Sequence, residues 1–378
     1  MDAARSMLRC GKLPLGLLGM LVLVASVEGF VTRHELDTVP PEEWQYLLAR
    51  QAATRQARGC DLLILGDSQA KMGVLPKVVG ARSRLRSYNL AITGAQTPAS
   101  YDVLRRALDG GAHPSAVLVD FHQFLLAIPP HASRAKLPFL LGYGAVLRLG
   151  WDSRDLTLLA DLLAQRALPS FRCRWMLRSW VLSANDGQTN RNRLLMPEAL
   201  GHWARNDGAW VMSSMTDQAG DGVAQQRLAY RPGWTPDRVN ADYLRRFLQL
   251  SEANSVAVYW LIPPIHPALQ AANEASGFDE KYVAFVRKMQ QRFPGLTVID
   301  GRHAGYDPAV FVNPDHLGRE GAFALSQDLG DMFRRFGHVR PSSRWVALPR
   351  YRPRVTDPEI LAARLDVFVP EPAPSTTR

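Results

Sequence analysis

A serine near the start of this chain and a histidine near its end have the surroundings of a nucleophile and its base. Ser68 follows an aliphatic run and a Gly-Asp dipeptide, a pattern that predicts a strand ending just before Ser68, with the hydroxyl at the edge of a sheet. His316 stands in the polar, loop-like segment 313–318. A serine hydroxyl becomes a nucleophile when a base takes its proton. The pair therefore predicts acyl chemistry, provided that the fold brings Ser68 and His316 together.

Two further positions could stabilise the negative charge of an acyl-transfer intermediate. Gly94 lies in a loop-like segment after a second strand-like stretch, where a glycine can offer its backbone N–H to an oxyanion. His122 follows a third such stretch, and either His122 or its neighbour Gln123 could donate a hydrogen bond. Each position also has an ordinary interpretation, as a turn glycine or as a polar residue that closes a strand.

The elements that must position these residues alternate along the chain. Aliphatic, strand-like segments occur at 61–65, 88–91, 116–119, 256–262 and 296–299, and amphipathic, helix-like segments at 101–108, 282–293 and 321–336. Short strands separated by helices imply βαβ crossovers and a parallel sheet. We therefore expect an α/β fold, a three-layer, doubly wound, flavodoxin-like domain with a five-stranded sheet. Such sheets carry their chemistry at the carboxyl ends of the strands, where the candidate residues fall.

Two regions depart from this alternation. Residues from about 128 to 245 predict a mostly helical insertion between the third and fourth strands, and 338–378 an Arg- and Pro-rich extension, extended and partly disordered. The domain itself would then occupy 33–337. The insertion holds most of the tryptophans, which could stack on sugar rings or simply pack it onto the core: Trp151, Trp175, Trp180, Trp203, Trp210 and Trp234.

The first residues have the pattern of a signal anchor. Arg5, Arg9 and Lys12 precede an apolar stretch from 13 to 27 that extends towards 31, and no clear cleavage site follows. We expect residues 1–32 to form an uncleaved, single-pass transmembrane helix in the cell membrane. The positive-inside rule then places the body in the periplasm or outside the cell. A cleaved signal and a buried helix of a cytosolic protein are the alternatives.

Composition restricts the remaining possibilities. The formal charge of +10 comes from dispersed arginines, without a long basic run, and no nucleic acid is expected as a partner. The phosphate-binding motifs GxxxxGK[ST] and GxGxxG, CxxC pairs and HExxH are absent, so neither a metal nor an organic cofactor is implied. Cys60 and Cys173 could pair in an oxidising compartment or remain as two thiols.

The order and spacing of the four blocks around Ser68, Gly94, His122 and His316 resemble the SGNH (GDSL-type) hydrolase superfamily, over roughly residues 60–126 and 255–336. The resemblance implies that Ser68 is the nucleophile and His316 the general base. It also implies an oxyanion hole formed by the Ser68 and Gly94 amides, with His122 at the position of the family's Asn. Some exported members are associated with O-acetylation of surface polysaccharides, often beside a membrane-bound acyltransferase.

At one more position the chain departs from the family pattern, because Asn313 stands where the family has an Asp that orients the histidine. Asp315, next to His316, is a second candidate for that role. The expected function is a serine esterase acting on acyl esters, O-acetyl esters of a carbohydrate above all. The alternatives are an O-acetyltransferase of a cell-surface polysaccharide and a catalytically degenerate protein that binds or assembles glycans.

Overall fold

A sheet of six parallel strands lies at the centre of the protein. The computed structural model describes residues 15–39, 43–182, 199–212, 233–336, 344–353 and 367–368. In chain order the strands are β1 (Leu62–Leu65), β2 (Ser87–Asn89), β3 (Ala116–Asp120), β4 (Ala257–Ile262), β5 (Leu296–Asp300) and β6 (Arg344–Ala347). Their order in the sheet is β2-β1-β3-β4-β5-β6, and every neighbouring pair is parallel. The predicted α/β class and parallel sheet are therefore confirmed.

Helices cover both faces of this sheet because successive strand residues point to opposite sides. Leu63 and Leu65 of β1 face one core, and Leu62 and Ile64 face the other. The helices that pack on the first side are Trp44–Thr54, Thr97–Asp109, Arg238–Ala253 and Phe278–Arg292. Those on the second side are Pro76–Ser83 and Arg319–Phe336. Further helices outside the region between β3 and β4 are Glu35–Thr38, Gln56–Gly59, Ser68–Gly73, Pro267–Ala275 and Pro308–Val310.

The prediction of five strands was wrong by one edge strand. β6 pairs with β5 and lies within the segment 338–378, which the sequence placed outside the sheet. Its four residues carry no strand signal beyond a Trp-Val pair among arginines and prolines. Tertiary contacts hold it instead, since Trp345 donates to Asp300 Oδ2 at 3.0 Å and lies under the Arg287 guanidinium. The other residues of this segment, apart from 344–353 and 367–368, lie outside the described part.

The region between β3 and β4 is mainly helical, as expected. Its described helices are Gln123–Ala127, Pro130–Ser133, Leu137–Leu140, Tyr143–Ser153, Leu156–Ala167, Pro169–Arg172, Arg174–Leu182, residues 199–205 and Arg238–Ala253. A two-residue strand, Val211–Met212, pairs with Val367–Phe368. Trp203 and Trp234 are buried and pack this region onto the core, whereas Trp151 and Trp175 are exposed. The side chain of Trp180 lies outside the described residues.

The helix Leu15–Arg33 stands at the amino-terminal end of the described chain. Within the described residues it is the one helix long and apolar enough to cross a membrane, with a mean hydropathy of 1.5 over Gly16–Arg33. Almost all of its side chains are exposed. The cations of the predicted anchor, Arg5, Arg9 and Lys12, lie outside the described residues. Cys60 and Cys173 are both free thiols.

Candidate active site

Ser68 is the first residue of the short helix Ser68–Gly73, immediately beyond the carboxyl end of β1. The turn requires the preceding glycine, because Gly66 has φ +121° and an added Cβ would lie 1.5 Å from Asp120 Oδ1. Asp67 caps the helix by accepting from Gln69 N at 2.8 Å. Since β2 and β3 flank β1, Ser68 lies where the strand order reverses, the usual ligand site of such sheets.

His316 meets Ser68 across this edge, with its Nε2 2.7 Å from Ser68 Oγ. The histidine follows a tight turn between the two-stranded pair Phe311–Asn313 and His316–Leu317. Two contacts hold the turn in place. His266 N donates to Pro314 O at 2.8 Å, and Gln69 Nε2 donates to Asp315 O at 3.2 Å. The fold therefore brings together the two residues that the sequence placed at opposite ends of the domain.

Asn313 holds the far side of the His316 ring. Its Oδ1 lies 2.8 Å from His316 Nδ1 and also accepts the backbone N–H groups of Asp315 and His316, each at 3.1 Å. Those two donors fix the amide with its oxygen towards the ring. Nδ1 therefore carries the hydrogen, which leaves Nε2 as an acceptor for the Ser68 hydroxyl proton. This is the tautomer that a general base needs.

Asp315, the other candidate for orienting His316, faces a different residue. Its Oδ1 lies 3.8 Å from His122 Nε2, and both side chains are almost completely buried. His122 Nδ1 accepts from Phe124 N at 3.1 Å, so the ring hydrogen is on Nε2. His122 thus presents a donor on the Asp315 side of the site. Gln123, the neighbouring candidate, is buried as the first residue of the helix Gln123–Ala127 that His122 caps.

The two predicted backbone donors of the oxyanion hole are both available. Among the described residues, neither the Ser68 N–H nor the Gly94 N–H has an acceptor, although the neighbouring amides do. Gly94 has φ +71°. The preceding residue, Thr93, donates its N–H and its hydroxyl to Gln45 Oε1 at 3.2 and 2.9 Å. The Gly94 loop is therefore held by the helix Trp44–Thr54, which carries Gln45.

A buried carboxyl pair lies directly behind Ser68. Asp120, the last residue of β3, accepts from Asp67 N at 2.8 Å through Oδ1 and from Ala70 N at 3.3 Å through Oδ2. Burial and the neighbouring Asp120 raise the pKa of Asp67 well above its usual range, and burial also raises the pKa of Asp120. Two adjacent buried carboxyls cannot both ionise, so the pair holds one proton. Asp67 is the protonated partner.

The electrostatics of the site keep His316 neutral. Burial lowers the pKa of His316 to about 4, because the imidazolium would lose its hydration. The Asp315 carboxylate opposes this shift and His122 adds to it. Asn313 contributes no charge that could stabilise the imidazolium. The His316 ring is therefore unprotonated across the neutral range.

Three residues of the site were missed by sequence reasoning: Asp120, Gln69 and Gln45. A signal existed for Asp120, an acid at the carboxyl end of a buried strand, but the sequence does not show that it reaches Asp67. For Gln69 and Gln45 the sequence contains no signal that predicts a place in the site. Among the described residues, no group of three or more His, Cys, Asp or Glu side chains could hold a metal ion.

Comparison with known proteins adds no family assignment. No protein-family model matches the chain, and no characterised protein matches it significantly in sequence.

Proposed function

We propose that this chain is a serine esterase of SGNH type that acts on acyl esters, with O-acetyl groups of a carbohydrate as the expected substrate. The observation that carries the proposal is the 2.7 Å contact between Ser68 Oγ and His316 Nε2, in a ring whose Nδ1–H is held by Asn313. Nucleophile, base and orienting group are thus aligned in the order that acyl transfer requires.

Acylation follows from this alignment. Ser68 Oγ forms a bond to the acyl carbon while its proton passes to His316 Nε2, and the carbonyl electrons move onto the oxygen. The Ser68 and Gly94 amides, with His122 Nε2–H, are the donors proposed for this oxyanion. The carbonyl then re-forms, the bond to the alcohol oxygen breaks, and His316 returns the proton to the departing alkoxide.

Deacylation reverses these steps with a new nucleophile. Water gives a hydrolase, and a sugar hydroxyl gives an O-acetyltransferase, because both pass through the same acyl-Ser68 intermediate. A membrane-bound acyltransferase as a donor partner fits the second outcome. Product analysis with and without an oligosaccharide acceptor separates them, since transfer yields an acetylated sugar in place of free acetate.

The test of the proposal is turnover of a chromogenic acetyl ester by the full chain and by Ser68→Ala. We expect the substitution to lower kcat by at least about 10³-fold, as loss of a serine nucleophile does. A fluorophosphonate should label the native chain and not the variant. Equal turnover and equal labelling of the two proteins would contradict the esterase proposal and favour a degenerate, glycan-binding cleft.

Attachment to the cell membrane through the helix Leu15–Arg33 is the second part of the proposal, with the body in the periplasm or outside the cell. The support is the length, the apolar composition and the exposure of this helix. Deletion of residues 1–33 should leave an active body that a carbonate wash releases from membranes. A truncated chain that still sediments with carbonate-washed membranes would contradict it.

A further inference from the structure

The helices that follow β3 carry an apolar surface that no described residue covers. Trp151 is 84% exposed, Leu156 80% and Trp175 66%. We call this the outer surface and define it by its seven exposed apolar side chains: Tyr143, Leu147, Trp151, Leu156, Leu168, Phe171 and Trp175. Single exposed apolar residues need no explanation, but a concentration on consecutive helices indicates a contact partner.

The helix Tyr143–Ser153 shows that this surface is organised. Tyr143, Leu147 and Trp151 are spaced four residues apart, so they line one face of the helix. The opposite face, with Val146 and Leu149, is buried in the core. A helix with apolar residues on both faces meets protein on one side and a second apolar environment on the other.

Four exposed arginines lie on, or directly after, the helices that carry the outer surface: Arg148, Arg154, Arg174 and Arg178. The Arg174 guanidinium lies over the rings of Phe171 and Trp175, at 4.3 and 5.9 Å from their centroids. Tryptophan, tyrosine and arginine together are typical of segments at the boundary between lipid headgroups and acyl chains, where aromatic rings enter and guanidinium groups meet phosphates. The combination of exposed aromatic rings and arginines therefore favours a lipid surface as the contact.

The outer surface is continuous with the candidate membrane span. Glu28, the one acidic residue of the helix Leu15–Arg33, accepts from Ser170 N at 2.8 Å and from the Ser170 hydroxyl. Glu35, just beyond this helix, pairs with Arg172 at 2.8 Å. These contacts fix Leu168 and Phe171 beside the end of the span that joins the body.

We propose that the outer surface lies in the interfacial layer of the bilayer that the helix Leu15–Arg33 crosses, so that the body rests on the lipid instead of extending from a free tether. The inference depends on the proposed membrane attachment and not on the esterase proposal. The ligand of the outer surface is an anionic phospholipid bilayer. A second protein or a second copy of this chain on the same surface is the competing outcome.

The experiment places a photoreactive phenylalanine analogue at Trp175, at Trp151 or, as a matched control, at Asn254 in the full chain. Asn254 is exposed and follows the helix Arg238–Ala253, whose first residue donates to Asp152 O. Asp152 is also paired with Arg246 in the middle of this helix, and Asn254 lies eight residues, about 12 Å along the helix axis, beyond Arg246. Irradiation is carried out in vesicles of phosphatidylethanolamine and phosphatidylglycerol with a radiolabelled lipid.

We expect lipid adducts at Trp175 and Trp151 at least about tenfold above those at Asn254. Carbonate-resistant sedimentation and ester turnover are measured on the same samples, so that loss of the anchor or of the enzyme is seen separately. A chain that stays anchored but gives no lipid adduct above the control overturns the inference. Adducts to protein alone overturn it in favour of a protein partner.

Discussion

Asn313 Oδ1 lies 2.8 Å from His316 Nδ1 and is turned towards the ring by two backbone N–H groups. In a serine protease, replacing the corresponding Asp by Asn costs roughly 10⁴-fold in kcat, because the amide supports the wrong imidazole tautomer. Here the backbone donors occupy the oxygen side of the amide and keep its NH₂ group away from the ring. An Asn in this position therefore preserves the correct tautomer and forgoes only the charge that would stabilise the imidazolium.

The first prediction concerns the charge at residue 313. Asn313→Asp should raise kcat for an acetyl ester by about tenfold, because a carboxylate beside Nδ1 stabilises the imidazolium formed in the transition state. Asn313→Leu should lower kcat by about 10²-fold or more, because the ring loses its orienting acceptor. Steady-state kinetics with a chromogenic ester measure both. An Asn313→Leu variant with unchanged kcat would show that the ring is oriented by another group.

The second prediction is that kcat/KM keeps its neutral-pH value down to an unusually low pH. His316 acts as a base only when neutral, and its pKa is lowered to about 4, so kcat/KM should fall only as the pH drops through about 4. An exposed histidine would lose the same activity near pH 6.5. The measurement is a pH profile of kcat/KM with a non-ionising ester. Asn313→Asp is the control, since it should shift this fall to higher pH; a native fall between pH 6 and 7 would contradict the prediction.

The third prediction assigns His122 a donor role. Its Nδ1 accepts from Phe124 N, so Nε2 carries the hydrogen that an oxyanion could receive. His122→Ala should lower kcat by about 10²-fold with little change in KM, as loss of one oxyanion donor does. His122→Asn restores an N–H donor and should recover part of that loss. If His122→Ala and His122→Asn are equally slow but fold normally, the donor role is wrong.

Much of the sheet could be predicted from the sequence because its strands are buried on both faces. β1, β3, β4 and β5 are aliphatic or aromatic runs between turn residues, and the predicted boundaries lie within one residue of those observed. β6 could not be predicted in this way. Its place at the edge depends on Trp345 reaching Asp300 and Arg287, and no local pattern encodes those contacts.

The candidate site likewise contains residues that could be predicted from local sequence and one relationship that could not. Ser68, Gly94, His122 and His316 were identifiable because each follows a strand or precedes a helix, and such positions in a parallel sheet converge on one edge. Which group holds the His316 ring was not identifiable. Asn313 and Asp315 are both near it in sequence, and only the turn between Phe311–Asn313 and His316–Leu317 turns the first towards Nδ1 and the second towards His122.

The fourth prediction separates the two buried carboxyls behind Ser68. Asp67 carries the shared proton, so an amide can replace it: Asp67→Asn keeps an oxygen for Gln69 N and offers an NH₂ group to Asp120. We expect this substitution to change the free energy of unfolding by less than about 1 kcal/mol. Asp120 instead accepts a backbone N–H through each of its oxygens, from Asp67 and from Ala70.

Asp120→Asn therefore turns an NH₂ group towards a backbone donor and leaves that buried N–H without an acceptor. The expected cost is about 1–3 kcal/mol, with a lower kcat because the strand-to-helix turn that carries Ser68 relaxes. Urea unfolding of the two variants beside the native chain measures the difference, and Ser68→Ala serves as a control that leaves the carboxyl pair intact. Equal destabilisation by Asp67→Asn and Asp120→Asn would mean that both carboxyls are ionised or both are protonated. The assignment of a single proton to the pair, on Asp67, would then be wrong.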